Sequence, residues 1–327
     1  MITSLLTVEG TTFDPHYNLA VEQVLLESVA EGQCILYLWQ NENTVVIGKN
    51  QNPWKECKTA LLQQEGGKLA RRLSGGGAVF HDLGNLNFTF LMPQSEYNLD
   101  KQLSVIQSAV RSLGLDAQRS GRNDVLAEGR KFSGNAFYKN GKQAYHHGTL
   151  LVSADMEKLN RYLSPSKAKL QAKGVDSVRS RVVNLQELKP EITIDALKAA
   201  LTAAFSEVYA LPVKTLQEAC LDQQQIQLLA ARNRSWEWNF GQKLPFSWEY
   251  ETRFPWGSVQ LQLQIESGII RHVKIYSDAM NCFLIPRWED RLSGCQLERH
   301  ALEAALDRQD IPEEQDFCRL MTEVLWG

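Results

Sequence analysis

Long apolar runs are missing from this chain: nowhere in its 327 residues is there a stretch near the ~20 consecutive apolar residues that a membrane helix needs. The opening segment, MITSLLTVEGTTFDPHYN, has no basic start, apolar core or small-residue cleavage site, so no secretory leader is read there and a cytoplasmic protein is expected. Paired cysteines are missing as well. Cys34, Cys57, Cys220, Cys282, Cys295 and Cys318 include no CxxC, which speaks against a disulfide framework and a thiolate zinc site and for reduced, mostly buried thiols. Basic charge is not in excess: 35 Lys and Arg against 38 Asp and Glu leave a formal net charge of −3, without the imprint of a nucleic-acid binder. Internal repeats and low-complexity tracts are lacking too. What is there is globular composition, 43% hydrophobic and 22% charged, at a length suited to about two domains.

Residue patterns divide the chain into short elements. Ile2 to Val8 reads as a strand, and Asp14-Pro15 as the cap and first turn of a helix whose apolar side is Leu19, Val21, Val24, Leu25 and Val29. Cys34 to Trp39 and Thr44 to Gly48 read as strands joined by a hairpin turn at Asn41-Glu-Asn43. A helix is expected from Pro53 to Gln64, then two strands around a triple-glycine loop, a helix from Asp100 to Leu113, and strands near Asp124 to Leu126, Phe132 to Tyr138 and Tyr145 to Val152. Ser164 to Pro190 carries six basic residues against two acidic and reads as a loop. Helices at Thr193 to Tyr209 and near Leu221 to Ala231 follow, with a domain boundary at 245/246. Beyond it, three antiparallel strands (Phe246 to Phe254, Gly257 to Ile265, Ile269 to Tyr276) and helices at Trp288 to Gly294, Glu298 to Arg308 and Pro312 to Trp326 form a small α+β unit. The elements do not alternate regularly, so the expected class is α/β (α+β) with a mixed, mostly antiparallel sheet.

Three constellations carry chemistry. In RRLSGGGAVFHD, residues 71 to 82, consecutive glycines let backbone N–H groups converge on an anionic or carbonyl oxygen while Arg71 and Arg72 add charge. It is neither the GxxxxGK[ST] loop nor the GxGxxG fingerprint, and three glycines alone are as readily a flexible turn. In SGRND and GRKFSGNA, Lys131 stands where its ammonium can neutralise charge on a phosphoryl or carboxyl group, and Asn123 and Asp124 can orient a nucleotide or hold Mg²⁺. Each taken alone is more often a turn or a solvated edge. In YHHGTLL, adjacent His146 and His147 on a strand face opposite ways, which argues against a two-histidine metal site.

These segments, with HHGTLL and SVRSRVVNL after them and FDPHYNLAVE, LYLWQN, TVVIGKNQNPWKEC and SWEWNFGQ around them, closely resemble the bacterial lipoate-protein ligase A family in sequence and order. The resemblance covers essentially the whole N-terminal domain, and the C-terminal segment fits the family's accessory domain in length. It implies a fold of the biotin and lipoate ligase, class II synthetase-like type, with a catalytic domain at 1–245 and an accessory domain at 246–327. It implies ATP-dependent activation of lipoate to lipoyl-AMP with release of pyrophosphate, then transfer to a carrier lysine. Arg72, Gly77, Ala78, Val79, Phe80, Asn123, Asp124, Lys131, Val178 and Arg181 would hold ATP and the adenylate, with Lys131 catalytic and Asp124 a weak candidate for Mg²⁺. Glu22, Trp39, Ser74, Gly75, Gly76, His81, Lys131, Tyr145 and His147 would hold lipoate, although an inward aromatic such as Trp39 is commonly plain core. The stretch from Lys173 to Arg181 would close over the adenylate as a lid and exclude water. The implied partners are lipoyl domains of 2-oxoacid dehydrogenase E2 subunits or the glycine-cleavage H protein, with neither nucleic acid nor membrane, and a monomer is the default.

Other readings share the fold. A lipoyl or octanoyl transferase would use a pre-activated acyl group without ATP. A biotin ligase would carry a GRGRRG-like loop where this chain has RRLSGGG. A non-catalytic lipoyl-binding module would have no need of Lys131.

Overall fold

Asp14 starts the first helix, Pro15–Ser28, by accepting a hydrogen bond from His16 N on its side chain, with Pro15 in the first turn. In this computed structural model, which describes residues 1–120, 124–164, 182–240, 248–306 and 311–324, the chain forms two compact units. The larger comprises Met1–Ile47, Pro53–Arg72 and Ala78–Asn239; the other comprises Gly48–Asn52, Leu73–Gly77 and Phe240–Gly327. Residues 241–247, which include the expected boundary, lie outside the described residues.

Fourteen strands are described: β1 Ser4–Glu9, β2 Gln33–Trp39, β3 Thr44–Ile47, β4 Lys68–Arg71, β5 Val79–His81, β6 Asn85–Pro93, β7 Ala117–Ser120, β8 Asp124–Ala127, β9 Arg130–Lys139, β10 Gln143–Leu151, β11 Val213–Thr215, β12 Trp248–Phe254, β13 Gly257–Glu266 and β14 Ile269–Ser277. Eight of them form one mixed sheet in the order β11-β1-β2-β6-β10-β9-β8-β7. β1 runs parallel to β11 and β2, and the remaining pairs are antiparallel.

Period-two alternation in NLNFTFLMP fixes which face is which. Leu86, Phe88, Phe90 and Met92 enter a core shared with the helices Leu99–Ser112 and Ile194–Tyr209. On the opposite face, Ile35, Tyr37, Trp39, Leu91 and Tyr145 pack with the helices Pro15–Ser28 and Gln223–Arg234. Sheet and flanking helices make three layers, and the second face carries the polar residues described below.

The hairpin expected at Asn41-Glu-Asn43 is not formed. β2 stays in the large sheet, whereas β3 is the centre of a separate sheet ordered β4-β3-β5, parallel to β4 and antiparallel to β5. Asn43, at φ 42, turns the chain out of the first sheet, and its carbonyl accepts from Lys68 N at the start of β4. The helix expected from Pro53 to Gln64 is two short ones, Pro53–Glu56 and Thr59–Gln64. β7, β11 and the helix Met156–Tyr162 were not expected from sequence.

In the second unit, β12, β13 and β14 form an antiparallel sheet packed on the helices Leu284–Leu292, Arg299–Ala305 and Pro312–Val324 around Trp288 and Phe317, whose rings stack at 4.0 Å. The glycine loop is part of this unit. Gly76 N donates to Ala279 O at 3.2 Å, and a Cβ on Gly75 would lie 2.2 Å from Ala279 O and 2.5 Å from Met280 O. Among the described residues no helix is long and apolar enough to cross a membrane.

Candidate functional site

Glu22 is the first oddity of the large unit, a carboxylate 2% exposed in the middle of the buried side of a helix. Burial of a charged group is costly unless its oxygens are hydrogen-bonded. Here Trp39 Nε1 donates to Thr89 Oγ1 at 3.2 Å, and the Thr89 hydroxyl donates to Glu22 Oε1 at 2.7 Å. His147 Nδ1 meets the same oxygen at 2.8 Å, which places its proton on Nδ1. Helix, β2, β6 and β10 thus each contribute one member of a single chain of hydrogen bonds.

Aromatic rings surround that chain. Tyr37 stacks on Trp39 at 5.8 Å, Tyr145 lies against His147 at 4.7 Å and stacks on Tyr138 at 5.3 Å, and His81 stands edge-on to Trp39 at 6.3 Å. Asn41 donates to His81 Nδ1 at 3.1 Å and is itself held by Asn18. Burial, with the nearby Arg72 and His147, pushes His81 down to about 3, so it is neutral at pH 7. Burial also lowers Arg72, to about 10, against the opposing pull of Tyr145 and Glu22, and its Nη1 donates to Val46 O. Arg72 therefore remains a cation beside this cluster at neutral pH.

His146, next to His147 on β10, points the other way, as strand geometry requires. It is packed by Phe88, Phe90 and Phe137, bonds Asn135 Oδ1 at 2.8 Å, and is driven down to about 3 by burial.

Lys131 lies near the beginning of β9. Its Nζ pairs with Asp124 Oδ1 at 2.7 Å, and its carbonyl accepts from Val183 N. The absence of a side chain at Gly134 makes room for it, since a Cβ there would lie 3.2 Å from the Lys131 ammonium. Strand register then relates this cation to the Trp39 cluster. Asp124 opposes Gly134, Gly134 opposes Thr149, Thr149 opposes Asn87 and Asn87 opposes Trp39, one row of residues across β8, β9, β10, β6 and β2. The neighbouring row on the same face is Ala136, His147, Thr89 and Tyr37. Residues directly opposite one another share a face. An ammonium at one end and a buried cluster of aromatic and polar side chains at the other therefore lie on one surface of the sheet.

Among the sequence-selected residues, Glu22, Trp39, Arg72, His81, Tyr145 and His147 come together in one cluster, and Asp124 and Lys131 form the charged end. Phe80 sends its ring into the core against Tyr162, and β5 lies at the edge of its sheet, with Ala78 just before it, so Val79 and Phe80 keep one backbone edge out of the ladder. Ser74, Gly75, Gly76 and Gly77 belong to the second unit, where the backbone of Ala279 and Met280 passes close to Gly75 on its Cβ side. Asn123, Val178, Arg181 and the expected lid lie outside the described residues.

Arg71 and Asp82, at the two ends of the glycine segment, are both engaged by nearby backbone. Arg71 is engaged by the helix Trp236–Phe240: its Nε donates to Trp238 O, another guanidinium nitrogen donates to Asn239 O, and Trp238 Nε1 donates back to Arg71 O. Asp82 caps a turn, accepting from Gly84 N and Asp155 N. Sequence reasoning missed Asn18, Asn41, Asn87 and Thr89. The signal for the last two was the polar half of the alternation in β6.

Residues 14–206 match the family model of the lipoyl protein ligase A/B catalytic domain, and residues 243–323 match that of the bacterial lipoate protein ligase C-terminus. Among solved structures, the LipL1 protein of P. falciparum in complex with lipoate is 27% identical, with a TM-score of 0.83 and 99% of each chain covered. The bipartite lipoate protein ligase of T. acidophilum, studied with its E2 lipoyl domain, is 27% identical, with a TM-score of 0.64 over 76% of this chain and 100% of that one. A lipoate-protein ligase A bound with ATP is 26% identical, with a TM-score of 0.62 over 74% of this chain and 99% of that one.

Proposed function

Because the chain belongs to the lipoate-protein ligase family, and is an enzyme of that kind, we propose that it activates lipoate with ATP and transfers the lipoyl group to a lysine of a lipoyl carrier domain. The observation that carries the reading is the row joining Lys131 to the Trp39 cluster on one sheet face. The aromatic cluster would line a pocket for a short, largely apolar chain, and the ammonium suits the carboxyl and phosphoryl oxygens at its end.

In the first step a lipoate carboxylate oxygen attacks the α-phosphorus of ATP, a new P–O bond forms, and pyrophosphate leaves. In the second, a carrier lysine amine adds to the acyl carbon, the bond to the AMP oxygen breaks, and the amine loses a proton as the amide forms. Lys131 would hold both reactants in line and offset the charge that builds up in each step. Asp124, paired with Lys131 at 2.7 Å, would hold that ammonium in place.

ATP chemistry calls for Mg²⁺. Among the described residues no three His, Cys, Asp or Glu side chains cluster as a metal cage. That suits an ion that keeps its waters and is bound by one carboxylate together with phosphates, and Asp124 would be the protein's donor. Bound there, the ion would supply phosphate charge neutralisation. Arg72, buried and still cationic at neutral pH, would stand near the nucleotide, with the backbone of Gly77 to Phe80 beside the adenylate and Ser74, Gly75 and Gly76 beside lipoate. Asn123, Val178 and Arg181 would complete adenylate binding. The carriers would be lipoyl domains of E2 subunits or the glycine-cleavage H protein, met in the cytoplasm by a monomer; the T. acidophilum relative's E2 lipoyl domain supports the carrier class.

Pyrophosphate release with lipoate and Mg-ATP tests the reading. Wild-type protein should release it only when lipoate is present, and Lys131→Ala should lower the rate on the order of 100-fold or more. Lipoate-independent release would overturn the ligase reading, and an unimpaired variant would overturn the assignment of Lys131.

A further inference from the structure

Asn87 stands between the two ends of the site and has no part in the proposed chemistry so far. It is 1% exposed, the third residue of β6, opposite Thr149 on one side and Trp39 on the other. Its Oδ1 accepts from Asn85 Nδ2 at 2.9 Å, while its Nδ2 has no partner, nor does Asn85 Oδ1. Exchanging the oxygen and nitrogen of both amides keeps the bond between them but leaves an oxygen open on Asn87, so an acyl or carboxyl oxygen at this position selects the orientation in which Nδ2 is open. A buried amide donor left unsatisfied costs about 1–3 kcal/mol in general, so such a group in the middle of a sheet calls for an occupant.

Register gives the occupant its position. Gly134, under the Lys131 ammonium, and Asn87 are two strands apart, about 10 Å at the usual strand spacing. With a hydrogen bond of about 2.9 Å at each end, roughly 4 Å remains. That is the reach across a P–O–C=O group, from a phosphoryl oxygen to an acyl oxygen.

Resting on the ligase reading, we infer that the Asn87 side-chain amide donates to the acyl oxygen of lipoate and of its adenylate, and so is a catalytic residue of the transfer step. Lys131 grips the phosphoryl side of the mixed anhydride and Asn87 the acyl side. When the carrier amine adds to the acyl carbon, the carbonyl π pair moves onto the oxygen that Asn87 already contacts. When the pair returns, the bond to AMP breaks and the amine proton leaves. A fixed, buried donor at that oxygen stabilises the developing charge without having to reorient. It also reads the carboxyl group at the end of an otherwise apolar pocket, so a chain of the same length ending in methyl would be bound without help from Asn87.

Two variants and three probes test this. Asn87→Ala removes the donor. Asn87→Asp retains the acceptor for Asn85 and sets an oxygen against the acyl oxygen. Single-turnover transfer from supplied lipoyl-AMP to an apo lipoyl domain should fall on the order of 100-fold in Asn87→Ala and further in Asn87→Asp. Calorimetric titration should show lipoate binding weakened about tenfold or more in both. The same dithiolane chain ending in methyl should bind wild type and variants alike. Equal weakening of lipoate and the methyl analogue would make Asn87 a packing residue and overturn the inference, as would unchanged transfer in both variants. Wild-type protein that neither binds lipoate nor transfers its acyl group would remove the ligase reading and this inference together, whereas an active wild type with equally active variants removes the inference alone.

Discussion

Thr89 connects three elements through one hydroxyl, accepting a hydrogen bond from the Trp39 indole and donating one to the Glu22 carboxylate. Thr89→Val keeps the shape and removes both bonds, leaving a buried carboxylate with one donor fewer. Urea unfolding should show a loss of about 1–3 kcal/mol, and an unchanged midpoint would mean that the network carries no stability. The histidines give a pH test with a definite sign. Burial lowers His16 to about 4, and His81 and His146 to about 3, from an ordinary 6.5. Above pH 6.5 they are neutral folded or unfolded. Below it, the unfolded chain takes up protons that the folded protein refuses, so stability falls as pH drops toward 4, each histidine adding a slope of about 1.4 kcal/mol per pH unit. His146→Phe, set among Phe88, Phe90 and Phe137, should flatten that slope by about one proton. An unchanged slope would place the proton uptake elsewhere.

Elements were legible where local signals and packing agree. Asp14-Pro15 states the start of the first helix, and the alternation in β12, β13 and β14 states a solvent-facing antiparallel sheet. They were not legible where partner choice is non-local. Nothing within Asn41 to Asn43 says that β3 leaves for a second sheet, because β3 pairs with β4 and β5, whose contacts lie far along the chain. The short strands β7 and β11 owe their existence to pairing rather than to composition. The glycine loop shows the same limit: its glycines were evident, but the backbone of Ala279 and Met280 that Gly75 must admit was not. Gly75→Ala should therefore destabilise the second unit by about 1–3 kcal/mol through overpacking. Thermal unfolding checks it, and an unshifted transition would show that the loop yields without cost.

At the scale of the molecule, one sheet does two jobs. One face is filled by Phe88, Phe90, Leu36 and the helices Leu99–Ser112 and Ile194–Tyr209, and the other carries Glu22, Thr89, His147 and, along the strand register, Lys131. The motifs pointed to most of these residues one by one, but their placement in a row depends on a strand order, β2-β6-β10-β9-β8, that no local pattern encodes. The central claim is that this face joins an acyl pocket to an adenylating cation. The most direct measurement is the mass of an apo lipoyl domain incubated with the protein, lipoate and Mg-ATP. The account predicts one lipoyl group added to one lysine, only when both lipoate and ATP are present, with one pyrophosphate released per group. A domain left unmodified under those conditions, yet lipoylated from supplied lipoyl-AMP, would contradict it and make the protein a transferase.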